Sequence, residues 1–451
     1  MTVFVNAIST RPTPEGTIAN ARYDIFNALF TLILTKNMMI STLLDKLPQP
    51  TTRRIALHIT PNAERILRQG HPWLFGDSIT RQSYEGQAGD LAVVFDKKDR
   101  FMAVGLYDPA SPIRVKILHQ GSSVRIDAEW FAACTAEAVK RRASLPTMGT
   151  TGYRLIHGEN DGFPGLIVDR YADTFVLKLY SAIWLPYLRM VVEGLVQQAG
   201  VSHIILRLSR QLQAGTLYGL SDGALLYGEQ PSAPLIFSEN NLRFAVDVVH
   251  GHKTGFFCDQ RDNRARVRAL AQGRRVLDVF SYVGAFSLSA AAGGATEVLS
   301  VDISAPALAA AQQNFALNQA LPAVAAARYE VIADDAFEVM ERLRQQRRQF
   351  EMVIVDPPTF ASSSDQISRA LDAYQKLVRL ALPLVTPPGI FVMASCSSRI
   401  AASVFFETVL ETAQRSGYRL EEIERTGHAL DHPIAFPEGA YLKCLFARVL
   451  D

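Results

Sequence analysis

The stretch "DVFSYVGAFSLSAA", Asp278–Ala291, decides the fold. It leaves an apolar run, Val276–Phe280, and carries one glycine, Gly284, ahead of a run of small residues. A loop that grips a pyrophosphate needs the pattern G-x-G-x-x-G, so that backbone can approach the phosphates closely. With one glycine, NAD and FAD are poor fits, whereas a nucleoside without phosphates needs less glycine. Further apolar runs at Val298–Val301, Tyr329–Ile332, Met352–Val355 and Ile390–Ala394 alternate with helical segments. One of these spans Ser304–Asn318, with Ser304 as its N-cap. This βα series predicts a doubly wound, mostly parallel sheet. A helix over Ala401–Ser416 and two strands near Tyr418–Arg425 and Leu442–Arg448 predict an antiparallel terminal hairpin.

In such sheets ligands bind beyond the carboxyl ends of the strands. Asp302 follows the second strand, where a carboxylate can accept from both hydroxyls of a ribose. Asp335 follows the third and can accept from an adenine amino group, with Phe337 beside the ring. The fourth ends in "DPPTF", Asp356–Phe360, where two prolines stiffen the backbone and remove two N–H donors. One acid after a strand is usually a helix cap; four acids at successive strand ends are harder to read that way. The fifth strand runs out in "FVMASCSSRI", Phe391–Ile400. A structural cysteine belongs inside the apolar run, whereas Cys396 sits past its end, where a substrate can reach it.

The motifs "GHKTGFFCDQRDNR", "VLDVFSYVGAFSLSA", "VDPPTF", "SCSS" and "DHPIAFPEGAYLK" resemble, in order, those of the bacterial large-subunit (23S) rRNA cytosine-5 methyltransferases that carry an N-terminal PUA domain. The resemblance covers residues 53–451. It implies a class I, Rossmann-like methyltransferase domain with a seven-stranded mostly parallel sheet, preceded by a small β-barrel PUA domain and a small α+β connecting domain. The cofactor implied is S-adenosyl-L-methionine. Asp278, Ser281, Tyr282, Gly284, Asp302 and Asp335 would bind it, together with Asp356 and Pro357. From the segment before the first strand, Phe256, Gln260 and Arg261 are implied as further donor contacts. Pro358 and Phe360 would meet the substrate base. The family usually has lysine after the prolines; Thr359 here resembles the related guanine-N7 enzymes, which lack the cysteine motif.

Carbon 5 of cytosine is a poor nucleophile. A thiolate that adds to carbon 6 makes carbon 5 enamine-like, and splits one hard step into easier ones. Cys396 is the candidate nucleophile, and Asp356 the candidate acid on the N3 edge. Cys258 and Cys444 read as structural, and Cys134 as a core residue of an amphipathic helix. The competing readings are a guanine-N7 methyltransferase, which needs no thiolate, and an RNA-binding assembly factor with an idle donor pocket.

The 451 residues carry 46 basic against 44 acidic side chains, so any basic surface must be local. Lys97, Lys98 and Arg100, at the tip of a hairpin between Leu91–Asp96 and Phe101–Leu106, are candidate RNA contacts, as is the cluster Lys140-Arg141-Arg142. The four cysteines form no CxxC pair, which argues against a zinc site or disulfide framework and for a cytoplasmic protein. No segment has the ~18 apolar residues needed to span a bilayer. The expected division is 1–52, an N-terminal extension, with either a native start at Met38 or Met39 or a short apolar helix that packs on the body; 53–121, PUA-like; 122–245, connecting; and 246–451, methyltransferase. Ribosomal RNA is the expected partner, and a homodimer is left open.

Overall fold

The computed structural model describes residues 39–450, apart from 199, 216, 232, 233, 252 and 362. The reading of an extension before Met38 or Met39, and His252 of the "GHKTGFFCDQRDNR" motif, lie outside the described residues. The series around Asp278 forms one sheet of seven strands. These are β1 (Arg275–Val279), β2 (Glu297–Asp302), β3 (Arg328–Ala333), β4 (Phe350–Val355), β5 (Val385–Ser395), β6 (Leu420–Thr426) and β7 (Lys443–Val449). Their order is β3-β2-β1-β4-β5-β7-β6. Strands β1 to β5 run parallel, and β7 lies antiparallel between β5 and β6. The terminal hairpin is therefore present, with its second strand inserted inward.

Central parallel strands are buried on both faces, which is why β1, β4 and β5 read as apolar runs. Successive side chains point to opposite cores. Val276, Met352, Ile354, Val392 and Ala394 enter one; Leu277, Val279, Val353, Val355 and Met393 enter the other. Helices α1 (Arg261–Leu270), α2 (Ala285–Ala292) and α3 (Ala305–Leu317) cover the first core through Val267, Leu288 and Phe315. Ser304 caps α3 as expected, its Oγ accepting from Ala307 N at 3.3 Å. Helices Ala336–Gln345, Ile367–Ala381 and Ala402–Arg415 cover the second core.

Among the described residues three other sheets precede this one, the last of them a two-stranded hairpin of Leu235–Glu239 with Leu242–Val246. Six strands between Arg54 and Gln120 form a mixed sheet that contains the expected hairpin, Leu91–Phe95 with Phe101–Tyr107. Five strands between Gly152 and Tyr227 form the next, and its residues Tyr171, Val176 and Ile205 pack into the core under α1. A helix of this unit, Leu188–Val196, is preceded by a 3-10 turn, Ala182–Tyr187, around Pro186, which lacks an N–H. In the basic cluster of the middle unit Lys140 is exposed, but both arginines are paired with one buried carboxylate. Arg142 is only 1% exposed and grips Asp161 at 2.9 and 2.7 Å, and Arg141 reaches the same carboxylate at 3.0 Å.

The segment between β6 and β7 ties the sheets together. Buried Asp431 accepts from Arg261 Nη1 and from Arg154 N, both at 2.7 Å, while its carbonyl accepts from Arg142 Nη2 at 2.8 Å. Phe436 packs edge-on to Trp73 of the first sheet, with ring centroids 5.1 Å apart. Burial opposes ionisation of Asp431, but His432 and Arg261 hold its carboxyl well below the usual carboxylate range. Removing it leaves the buried Arg261 with only the half-exposed Asp262, 3.1 Å from its Nε, so Asp431→Ala is expected to cost about 3 kcal/mol in urea denaturation. A depressed folded pKa stabilises above the unfolded value and is lost as pH falls. The gap between wild type and Asp431→Asn should therefore shrink below about pH 4.

Candidate active site

The alternation that fills the two cores also builds the site. Asp278 and Asp302 lie in step with the side chains of the first core, and so do Asp356 and Cys396, one residue past the ends of β4 and β5. Strand order reverses between β1 and β4, where a crevice is expected.

Beyond β1 the chain turns through three positive φ angles, at Phe280 (66°), Tyr282 (48°) and Gly284 (70°). Two non-glycine residues in that region mark a strained loop of the kind that gathers at functional sites. A Cβ on Gly284 would lie 2.8 Å from Ala311 Cβ, so glycine also lets the loop press on α3. Asp278 is fully buried. Its Oδ2 accepts from Ser287 N (3.0 Å) and Ser287 Oγ (2.6 Å). Its Oδ1, like the buried Ser281 Oγ, has no protein partner. Burial, against the Ser287 hydrogen bonds, raises its pKa to about 7. Asp302 is held by two backbone donors, Tyr282 N and Ser304 N, each at 2.8 Å. Ile303 beside it is 77% exposed, an apolar side chain at the strand ends that sequence reasoning did not single out.

Across the switch point, Asp356 is raised to about 7, first by burial and then by the charges of Asp259 and Asp278. The Gln260 side chain hydrogen-bonds it. Cys396 Sγ lies 3.0 Å from Thr359 Oγ1 and 4.0 Å from Pro357 O. Burial and the Asp356 charge push the thiol up, while the Thr359 hydroxyl and Lys253 pull it down. The serines on either side are structural: Ser395 Oγ pairs with Tyr374 OH at 2.7 Å, and Ser397 Oγ reaches Ala361 O at 3.4 Å. Lys443 Nζ donates to Ser397 O and to Tyr441 O (3.0 Å). Its pKa falls to about 8 through burial, opposed by the nearby Cys396. Pro357 is buried, Pro358 exposed, and Phe360 packs edge-on to Tyr374.

Three expected donor contacts are placed differently. Phe256 is a core residue, 4% exposed between Phe237 and Phe244 under the Arg264 guanidinium. Its neighbour Phe257 instead meets Tyr282 edge-on. Arg261 is spent on Asp431. Gln260 is turned to Asp356 and Asn263. Asp335 is a helix cap, with Oδ1 accepting from Phe337 N and Glu338 N. The Lys97-Lys98 tip is exposed, and Arg100 is drawn to Asp96 at 2.7 Å. Cys258 and Cys444 are buried, as read, and Cys134 packs partly buried in its core. Among the described residues no His/Cys/Asp/Glu group could hold a metal, and no helix is long and apolar enough to cross a membrane.

Residues 209–448 match the family description "S-adenosylmethionine-dependent methyltransferase", and residues 57–120 match "PUA-like domain". The chain is 44% identical to the ribosomal RNA large subunit methyltransferase of Deinococcus radiodurans, over 89% of this chain and 99% of that protein. It belongs to the S-adenosylmethionine-dependent ribosomal RNA large-subunit methyltransferase family. The ribosomal RNA large subunit methyltransferase I of Shewanella denitrificans is 37% identical over 88% of this chain and 99% of that one. A methyltransferase solved with SAH shares the methyltransferase's fold at a TM-score of 0.75, 22% identity, 88% coverage of this chain and 100% of that one. A further structure, from Streptococcus mutans, gives 0.74, 22%, 87% and 100%.

The raised Asp278 has a measurable cost. Its folded pKa, about 7, exceeds the unfolded carboxyl value, so the folded methyltransferase loses stability as pH rises through that window. Asp278→Asn is expected to raise Tm more at pH 8 than at pH 5, while weakening binding of S-adenosylhomocysteine in calorimetry.

Proposed function

We propose that this methyltransferase forms 5-methylcytidine in large-subunit rRNA, through a covalent bond from Cys396 to carbon 6 of the target cytosine. The observation that carries the reading is the placement of the Cys396 thiol beside a carboxyl, Asp356, whose pKa is raised to about 7. An acid that titrates near neutrality can protonate a ring nitrogen, and a thiol at the next strand end can attack the ring. The Thr359 hydroxyl at 3.0 Å from Sγ supplies a hydrogen bond to the thiolate, which gives the threonine a task in cytosine chemistry and weakens the guanine-N7 alternative.

The site's polar atoms fit S-adenosylmethionine. The unpartnered Asp278 Oδ1 and Ser281 Oγ suit its charged amino-acid end, and the twice-anchored Asp302 has lone pairs left for two ribose hydroxyls. Ile303 offers an apolar face to the adenine, and Asp335 Oδ2, not used in the cap, an acceptor for its amino group. Tyr282 and Gly284 shape the loop, and Pro357 walls the pocket. Bound S-adenosylmethionine supplies an electrophilic methyl group.

The chain's own residues do the rest. Asp356 holds a proton at N3, withdrawing electron density from carbon 6. Cys396 loses its proton to solvent and adds as thiolate to carbon 6, so that the carbon 5–carbon 6 electron pair becomes available at carbon 5. When the carbon 5 proton later leaves, the double bond re-forms and the thiolate is expelled. Pro358 and Phe360 flank the base, which must first leave its stack. Lys97 and Lys98 contact phosphate from the PUA-like unit, with Arg100 contributing when Asp96 releases it. The division at 53–121, 122–245 and 246–451 assigns these tasks to RNA grip, linkage and chemistry, in a protein acting on cytoplasmic ribosomal RNA.

With labelled S-adenosylmethionine and unmodified rRNA, wild type is expected to yield 5-methylcytidine and Cys396→Ala none above background. A methylguanosine product, or full activity in Cys396→Ala, would sink the reading. The active form holds a proton on Asp356 and none on Cys396, so kcat/KM is expected to be bell-shaped. It rises near pH 7 and falls above the ordinary thiol range. In Asp356→Asn the falling limb should vanish, leaving a lower, monotonic rise.

A further inference from the structure

The site holds a further carboxylate, Asp259, that the reaction above does not use. Asp259 sits in the 3-10 turn Cys258–Gln260 that leads into α1. Three contacts fix it at the junction of β4, β5 and β7. Its Oδ2 accepts from Tyr441 OH at 2.9 Å, and its carbonyl accepts from Ala429 N at 3.3 Å. The next residue, Gln260, reaches Asp356. The antiparallel pairing of β5 with β7 sets Ser395 opposite Lys443, so Tyr441, two residues earlier, comes alongside the Cys396-Ser397 turn. Lys443 Nζ closes that junction by bonding both Ser397 O and Tyr441 O. Asp259 is thus tied to both ends of the chemistry, to Asp356 through Gln260 and to Cys396 through Tyr441.

Its other oxygen, Oδ1, is buried and has no hydrogen-bond partner. A buried carboxylate oxygen without a donor is costly unless something else uses it. The two carboxyls are also pushed apart. Burial would raise Asp259, but His432, Lys253 and the Tyr441 hydroxyl outweigh it and keep the group ionised, whereas Asp356 is raised. Paired carboxyls displaced in opposite directions divide into a base and an acid.

We infer that Asp259 is the base that removes the carbon 5 proton from the methylated cytosine adduct. The inference rests on the cytosine-5 reading and adds the one proton acceptor that reading lacks. In the step, Asp259 Oδ1 forms an O–H bond to the carbon 5 proton. The C–H electron pair becomes the carbon 5–carbon 6 double bond. The carbon 6–sulfur bond breaks, and its electron pair returns to Cys396 as thiolate. Asp259 then passes the proton to solvent, and the Tyr441 hydroxyl holds the carboxylate in place throughout.

The test compares wild type, Asp259→Asn and Tyr441→Phe on two rRNA fragments, one natural and one with 5-fluorocytidine at the target. Fluorine at carbon 5 cannot leave as a cation, so any enzyme that reaches the methylated adduct stops there as a protein–RNA band on denaturing gels. Wild type is expected to form that band on the fluorinated RNA only. Asp259→Asn should form it on both, bind S-adenosylhomocysteine as wild type does, and turn over about 10² slower or worse. Tyr441→Phe should show a partial band on natural RNA. Normal turnover by Asp259→Asn, or no band even on fluorinated RNA while wild type forms one, overturns the assignment. A matching loss of S-adenosylhomocysteine affinity overturns it too, and makes Asp259 a donor-binding residue. If wild type fails on fluorinated RNA, the cytosine-5 reading itself falls, and Asp259 with it.

Discussion

Strands β1, β2, β4 and β5 end with polar side chains on one face of the sheet, and every group in the proposed chemistry hangs from that alignment. Asp278, Asp302, Asp356 and Cys396 all fall in step with the side chains of the core beneath α1 and α2. Because side chains alternate with period two, a slip of one residue in β4 or β5 would turn Asp356 or Cys396 to the other face. Such a slip would also bring Met352 and Ile354 into the wrong core. The packing of two cores thus fixes the position of the reactive groups, and catalysis inherits its geometry from hydrophobic register.

Electrostatics then separates groups that geometry has brought together. Three carboxylates, Asp259, Asp278 and Asp356, share one buried corner, and they cannot all be ionised cheaply. Asp278 and Asp356 are raised to about 7. Asp259 stays ionised because cations and a phenol face it. The thiol feels the same field: burial first and the Asp356 charge second push it up, and neutralising Asp356 removes the second of these. Proton uptake by the acid and proton loss by the nucleophile are therefore coupled, which suits a reaction that needs both.

Much of this was legible in the sequence, for reasons that are local. Apolar runs fixed by burial on both faces marked the central strands β1, β4 and β5, and the alternation of helix and strand placed the edge strands. Ser304 capped its helix because the cap needs only its own next three residues. "DPPTF" and "SCSS" stood out because prolines and a cysteine break an apolar run. What the sequence could not show depends on distant partners. "FFCDQR" contains two adjacent phenylalanines, and only the packing of Phe237 and Phe244 decides that Phe256 is core and Phe257 faces Tyr282. Arg261 meets Asp431, 170 residues away, and Arg142 meets Asp161, pairings that no local pattern announces. Asp259 carried no signal of its own, since a lone acid before a helix reads as a first-turn residue.

The most direct test of the central claim is to map the protein–RNA adduct. The 5-fluorocytidine complex would be digested with trypsin and nuclease, and the modified peptide sequenced by mass spectrometry. The account requires a methylated fluorocytidine on the peptide that contains Cys396. A nucleotide on the Cys258 peptide, or steady methyl transfer to cytosine with no adduct on any cysteine, would contradict it.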